Sequence, residues 1–173
     1  VCENGNYYNR FYFVHPDGTV QHYDKKHLFT FGGEHKRFTA GTERVVVNFR
    51  GVRILLEVCY DLRFPVWARN LGDYDMILYV ASWPTPRVDA WSALLRARAI
   101  ENQCYVAGVN RMGVDPACEY SGGSAIIDPY GKTIAECPWS RESAVSADID
   151  MEALQAFRKK FPVLDDADPF TLI

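Results

Sequence analysis

The chain has 173 residues, 48% hydrophobic and 24% charged, which suits one globular domain with a real core and excludes a disordered or fibrous chain. The formal net charge of −3 gives no electrostatic case for nucleic acid or an anionic membrane as partner. No apolar run approaches the length of a membrane span, and the opening VCENGNYYNR does not read as a signal peptide.

In chain order, NRFYFVHPDGTVQHYD reads as a hairpin. Aromatic and β-branched residues fill 11–14, Pro16-Asp17-Gly18 supplies the turn, and 20–23 returns. Residues 25–41 are loop-like, with glycines at 32, 33 and 41. Two strands follow over 45–49 and 52–59, hinged at Arg50-Gly51. The near-continuous apolar run of the second predicts a strand covered on both faces and interrupted by Glu57. A short helix is expected over 65–71, since proline is favoured in a first turn, then a buried strand over 76–80. Asp89 is placed to cap a helix over 89–103. Its apolar positions Leu94, Leu95, Ala99 and Ile100 leave Arg96, Arg98 and Glu101 on other faces. Further strands are expected over 105–109, 124–128, 133–136 and 143–148, and a last short helix near Met151. Strands with interposed helices imply an α/β layered fold. Because hairpins and crossovers coexist, its sheets should be mixed.

Five cysteines stand at positions 2, 59, 104, 118 and 137. The number is odd and no CxxC pair occurs. This argues against a disulfide framework or a zinc cluster and favours a reducing cytosol. His15, His22, His27 and His35 show no metal-ligand spacing to the cysteines.

The segment EVCYDLRFP (57–65) ends a buried strand in a thiol. A strand-to-helix junction can present a side chain at the end of a sheet and aim backbone N–H groups at it. A thiol attacking a carbonyl needs deprotonation, a donor for the oxyanion and a proton for the leaving group. Position alone equally allows an inert buried cysteine, the commoner case.

The strings YDKKHLF (23–29), GEHKRFTAG (33–41), CYDLRFP (59–65), ASWP (81–84), LLRARAIENQCYVAGVNR (94–111) and YSGGSAIIDPYG (120–131) occur in this order. Together they resemble the nitrilase superfamily of carbon-nitrogen hydrolases over nearly the whole chain. NRFYFVHPDG, YDKKHLF and CYDLRFP resemble its omega-amidase branch.

The resemblance implies an α-β-β-α sandwich with a Glu-Lys-Cys triad and no cofactor or metal. Cys59 matches the nucleophile and Lys25 the catalytic lysine, in preference to the neighbouring Lys26. Glu34 matches a supporting glutamate that orients the lysine or the substrate. Chemistry agrees for Lys25, because an ammonium beside a thiol favours thiolate and can hold an oxyanion. The general-base glutamate of the family has no match in this sequence. The chain is therefore expected to be one partial carbon-nitrogen hydrolase domain over 1–173, lacking its N-terminal part. Glu57, two residues before Cys59 on one strand face, is a tempting substitute but is expected to be structural, paired or edge-exposed.

Smaller expectations concern the surroundings. The Tyr60 backbone amide is placed to donate to the oxyanion. Trp83 can wall the pocket or simply pack in the core. Arg87 is a candidate for a substrate carboxylate, Arg63 for a structural charge pair, and Tyr120 and Ser121 for a loop approaching the site. The implied substrate is a small carboxylate-bearing amide such as 2-oxoglutaramate, hydrolysed through a thioester. Two alternatives stay open: an N-carbamoyl amine or nitrile hydrolase of the same superfamily, and a catalytically silent binding or assembly subunit. A homodimer or larger homo-oligomer in the cytoplasm is expected by resemblance.

Overall fold

The computed structural model describes residues 1–171. Its first elements are local. β1 (Cys2–Glu3) and β2 (Asn6–Tyr7) close a short ladder. β3 (Arg10–Val14) pairs antiparallel with β4 (Val20–Asp24) through the expected Pro-Asp-Gly turn. The Asp17 side chain closes that turn by accepting a 2.9 Å hydrogen bond from the Thr19 N–H. The register sets Phe11 opposite Tyr23 and Tyr12 opposite His22. Tyr23 is buried whereas Tyr12 and His22 are exposed, so the ribbon has one core face and one wet face.

A second hairpin joins β5 (Val46–Phe49) to β6 (Val52–Val58) at Arg50-Gly51, where both residues take positive φ (51° and 81°). That geometry matches the twist of the flanking strands. β7 (Met76–Ala81) and β8 (Tyr105–Asn110) continue the sheet in parallel with β6. β9 (Met112–Val114) and β10 (Glu119–Ser121) form a separate antiparallel ribbon. β11 (Ala125–Ile127) returns antiparallel to β8, and β12 (Thr133–Glu136) pairs antiparallel with β11. The six-stranded sheet therefore runs β12-β11-β8-β7-β6-β5, with a parallel centre and antiparallel margins. This is the mixed α/β character expected from the sequence.

Both faces of the sheet are covered. On one, Leu55, Ile77, Tyr79, Val106 and Ile127 pack against Trp91, Leu95 and Ala99 of α1 (Val88–Glu101). On the other, Ile54, Leu56, Val58, Met76 and Ala107 meet Tyr23, Trp67 and Leu154, the last from α2 (Met151–Lys160). Each aliphatic side chain so removed from water contributes about 1.5–3 kcal/mol. Gly108 lets α1 lie close to β8: a Cβ there would stand 2.6 Å from Leu95 Cδ1 and 2.8 Å from Trp91 Cζ2. Arg158 anchors α2 by donating to Asp75, to the Tyr74 carbonyl and to the Gln103 carbonyl. Among the described residues no helix is long and apolar enough to cross a membrane.

Four local expectations fail for identifiable reasons. Residues 65–71 are not helical, and the helical geometry comes earlier, as a 3₁₀ turn over Cys59–Arg63. Side chains hold the later backbone instead. Asn70 bonds the Tyr74 and Asn102 carbonyls and receives the Gly72 N–H, and the Tyr74 hydroxyl donates to the Ala68 carbonyl. Asp89 does not cap α1, because a 3₁₀ turn over Thr85–Arg87 runs into the helix and Arg87 occupies the cap position. Along α1, Arg98 is buried and Ile100 exposed. The arginine is drawn inward by the Leu62 carbonyl (2.5 Å) and Glu101 (2.9 Å). Residues 143–148 form no strand: β12 ends the sheet, and among the described residues no backbone ladder forms with them.

Candidate active site

The carboxyl ends of the parallel strands β6 and β7 converge, the usual place for a crevice in an open α/β sheet. At the end of β6 the chain turns sharply. Cys59 takes φ +49°, the left-handed region, which costs a residue with a Cβ about 1–3 kcal/mol. Asp61 holds the turn by accepting from the Val58 N–H at 3.1 Å, and the Phe64 N–H donates to the Asp61 carbonyl at 2.9 Å. Pro65 then ends the helical geometry, leaving Phe64 extended. The Cys59 Sγ faces the Ser82 carbonyl at the end of β7, 3.8 Å away.

Lys25 arrives from the hairpin. It follows β4, and its N–H donates to the Asn9 carbonyl. Its side chain is 3% exposed, and Nζ lies 2.5 Å from Glu34 Oε2. Glu34 also accepts from Asn9 Nδ2 at 2.9 Å and from the Phe29 N–H at 2.6 Å. Burial works against the charged carboxylate, but the Asn9 amide, the Lys25 ammonium and the Phe29 N–H outweigh it and hold the Glu34 carboxyl below its usual range. The pair is thus an ammonium fixed by a carboxylate that is itself fixed. Lys26 instead places its ammonium over the Trp67 ring, 5.2 Å from the centroid.

Cys59, Lys25 and Glu34 line one cavity of about 770 Å³, together with Asn9, Phe29, Tyr60 and Trp83. Burial pushes the Cys59 thiol above its ordinary value, and the Lys25 ammonium pulls against that shift without cancelling it. Burial thus favours the protonated thiol, and attack by this sulfur would require that proton to leave. Trp83 is held as a wall. Its N–H donates to Asn110 Oδ1 at 2.7 Å, and its indole donates to the Arg87 carbonyl at 2.7 Å. Arg63 stacks over the Trp83 ring at 5.0 Å and Arg87 over the Phe29 ring at 5.5 Å. Neither guanidinium is in a salt bridge among the described residues, so Arg63 does not make the expected charge pair.

Other expected groups stand elsewhere. Glu57 is fully buried, does not line the cavity, and neither oxygen has a hydrogen-bond partner. It is neither paired nor edge-exposed. Burial, reinforced by Asp61, raises its carboxyl well above the usual range against the opposing pull of Arg44 and Arg98, which favours the neutral acid. Tyr120 and Ser121 lie in β10 and do not line the cavity; Tyr120 donates to Asp115 at 2.8 Å and lies beneath Arg111. Sequence reasoning missed Asn9, Phe29 and Phe31 as cavity residues. For Asn9 a signal existed: continuing the hairpin register one step past Arg10↔Asp24 sets it opposite Lys25. Among the described residues no cluster of three or more His, Cys, Asp or Glu side chains could hold a metal ion.

Residues 2–159 match the model of the carbon-nitrogen hydrolase family. The chain belongs to that family. It is 55% identical over 165 residues to the omega-amidase YafV of Escherichia coli K12, covering 95% of this chain and 64% of that protein. It is 40% identical over 169 residues to a 2-oxoglutaramate amidase of Bacillus subtilis, covering 96% and 65%. The chain thus spans a little under two thirds of the length of these curated relatives. Among solved structures it resembles XC1258 from Xanthomonas campestris, a CN-hydrolase superfamily protein with an arsenic adduct in its active site. That match has a TM-score of 0.95 and 47% identity, and covers 99% of this chain and 68% of the other. Nit3 of Saccharomyces cerevisiae, a nitrilase superfamily member, matches with a TM-score of 0.82 and 27% identity over 90% of this chain and 58% of its own. The fold of the chain is therefore the nitrilase-type α/β architecture.

Proposed function

We propose that the chain carries the nucleophile and oxyanion machinery of a cysteine-dependent amidase acting on small carboxylate-bearing amides, 2-oxoglutaramate among them. The observation that carries this reading is the joint presence, in one cavity, of Cys59 at a strained strand end and an ammonium locked by Glu34. In this reading Cys59 Sγ attacks the amide carbon. Lys25 and the Tyr60 backbone amide stabilise the tetrahedral oxyanion, and Glu34 orients Lys25. The proton lost by the thiol passes to the amide nitrogen, so ammonia leaves as the thioester forms; water then adds to the thioester carbon, releasing the carboxylic acid and returning a proton to the sulfur. The proton-transferring glutamate expected from the resemblance has no counterpart among the described residues: Glu34 is tied by its three donors and Glu57 is sealed from the cavity.

Arg87 and Arg63, each resting on an aromatic wall of the cavity and free of acidic partners among the described residues, are proposed to hold the substrate carboxylate. Trp83 shapes the pocket between them. The omega-amidase and 2-oxoglutaramate amidase relatives support this substrate class. The five unpaired cysteines fit a reducing compartment such as the cytoplasm, and the resemblance supports a homodimer or larger homo-oligomer.

The test measures ammonia release from 2-oxoglutaramate and from its carboxylate-esterified analogue, using the intact protein and its Cys59→Ala variant. The reading expects turnover of the free acid, much weaker turnover of the ester and none by the variant. Undiminished release by Cys59→Ala would defeat it.

A further inference from the structure

Asp61 is fully buried and its carboxylate is saturated with donors from two separate parts of the chain. Oδ2 accepts from the Val58 N–H at 3.1 Å, at the base of the nucleophile turn, and from the Tyr23 hydroxyl at 2.9 Å, in β4. Oδ1 accepts from both the His27 N–H at 2.9 Å and His27 Nδ1 at 2.8 Å, just past Lys25. Tyr23 and His27 lie two residues either side of Lys25, while Val58 and Asp61 bracket Cys59. The second layer tightens the same joint. The Tyr23 hydroxyl accepts from the Lys26 N–H and from Trp67 Nε1, both at 3.1 Å. The His27 ring stacks on Phe64, 3.8 Å between centroids and 5° from parallel. No other carboxylate among the described residues bridges these two segments.

We infer that Asp61 is a positioning residue: it clasps the Lys25 segment to the Cys59 turn and so fixes the ammonium against the sulfur. The inference rests on the Cys59–Lys25 reading above, and is chosen so that the two can fail separately. A carboxylate is required because all four donors converge on it, and Asn would turn an NH2 toward two of them. The charged groups bearing on the thiol are Lys25, Glu34 and Asp61 itself. Their signs separate the roles. If Asp61 were only a nearby negative charge, its removal would make the thiolate easier to form. If it positions Lys25, its removal makes the thiolate harder to form, because the ammonium is the larger influence.

The experiment follows alkylation of Cys59 by iodoacetamide across pH, read by mass spectrometry of its peptide, with kcat and KM for amide hydrolysis measured alongside. Lys25→Ala should slow alkylation and move its midpoint to higher pH. Asp61→Asn should do the same, with alkylation near neutral pH slowed by about 10- to 100-fold. It should lower kcat more than it alters KM, and add nothing in the Lys25→Ala background. His27→Ala removes the Nδ1 donor and the ring stacked on Phe64 but keeps the His27 N–H donor, and it guards against a variant that does not fold. It should give a smaller effect of the same sign, restored in part by His27→Asn, whose amide can donate in place of Nδ1. A midpoint that falls or stays fixed in folded Asp61→Asn overturns the inference, as does an unchanged profile in His27→Ala. Alkylation indifferent to Lys25→Ala would overturn the cysteine–lysine reading, and this inference with it.

Discussion

Cys59 Sγ lies 3.8 Å from the carbonyl oxygen of Ser82, so the ends of two adjacent parallel strands meet at this sulfur. The sulfur is set by the sheet rather than by a free loop. Asn110 at the end of β8 extends the same arrangement, bonding both the N–H and the carbonyl of Trp83 and the carbonyl of Gly122. The ends of β6 and β7 thus line one wall of the cavity, with Trp83 held there by Asn110, and Lys25, Phe29 and Glu34 beyond the hairpin line the other.

Glu34→Gln should reduce kcat by about tenfold or more, since the ammonium loses its charged anchor. Stability should respond with a definite sign. The folded carboxyl titrates below its unfolded value, so its contribution is present above the unfolded value and lost as pH falls through the folded one. Urea midpoints of parent and variant, compared from pH 7 down to pH 3, should converge at the acid end.

Glu57→Gln should behave oppositely. The buried carboxyl titrates far above its unfolded value. Its favourable contribution is therefore complete below the unfolded value and declines as pH rises toward the folded one. As pH rises above the unfolded value the unfolded chain gains from ionisation that the folded chain forgoes, so the glutamine variant should gain in stability relative to the parent between about pH 4 and pH 7. That advantage should vanish near pH 4. An advantage that grows on acidification would contradict the assignment of a neutral buried acid.

Arg87→Ala and Arg63→Ala should each raise KM for a carboxylate-bearing amide by about 10- to 100-fold, the cost of one charge-assisted pair. They should leave KM for a neutral amide of similar length nearly unchanged. Equal losses on both substrates would assign the two arginines to support of the Phe29 and Trp83 rings instead.

Gly108→Ala tests the close approach of α1 to β8. The added methyl meets Leu95 and Trp91 well inside contact distance. Overpacking of this kind costs about 1–3 kcal/mol. Chemical denaturation should show that loss, and since Gly108 does not line the cavity, kcat should change little.

The sequence by itself determined the alternation of elements and singled out Cys59 as the candidate nucleophile. Hydrophobic runs, turn residues and strand-breaking prolines are local signals, and 76–80, 105–109 and 133–136 lie almost where they were expected. The motif strings likewise singled out Cys59, Lys25 and Glu34 as the residues to find in one cavity. Only the tertiary structure decided which polar residues turn inward and what each one meets. Arg98 sits on the core face because the Leu62 carbonyl, 36 residues earlier in the chain, is there to receive it. Glu57 is sealed without a partner, although its spacing from Cys59 alone made it a possible base. Residues 65–71 are held by Asn70 and Tyr74 rather than by helical bonds. Asp61 joins two segments that are distant in sequence and whose separation no local pattern reports. Burial and hydrogen bonding are properties of pairs, and half of each pair lies outside any window along the chain.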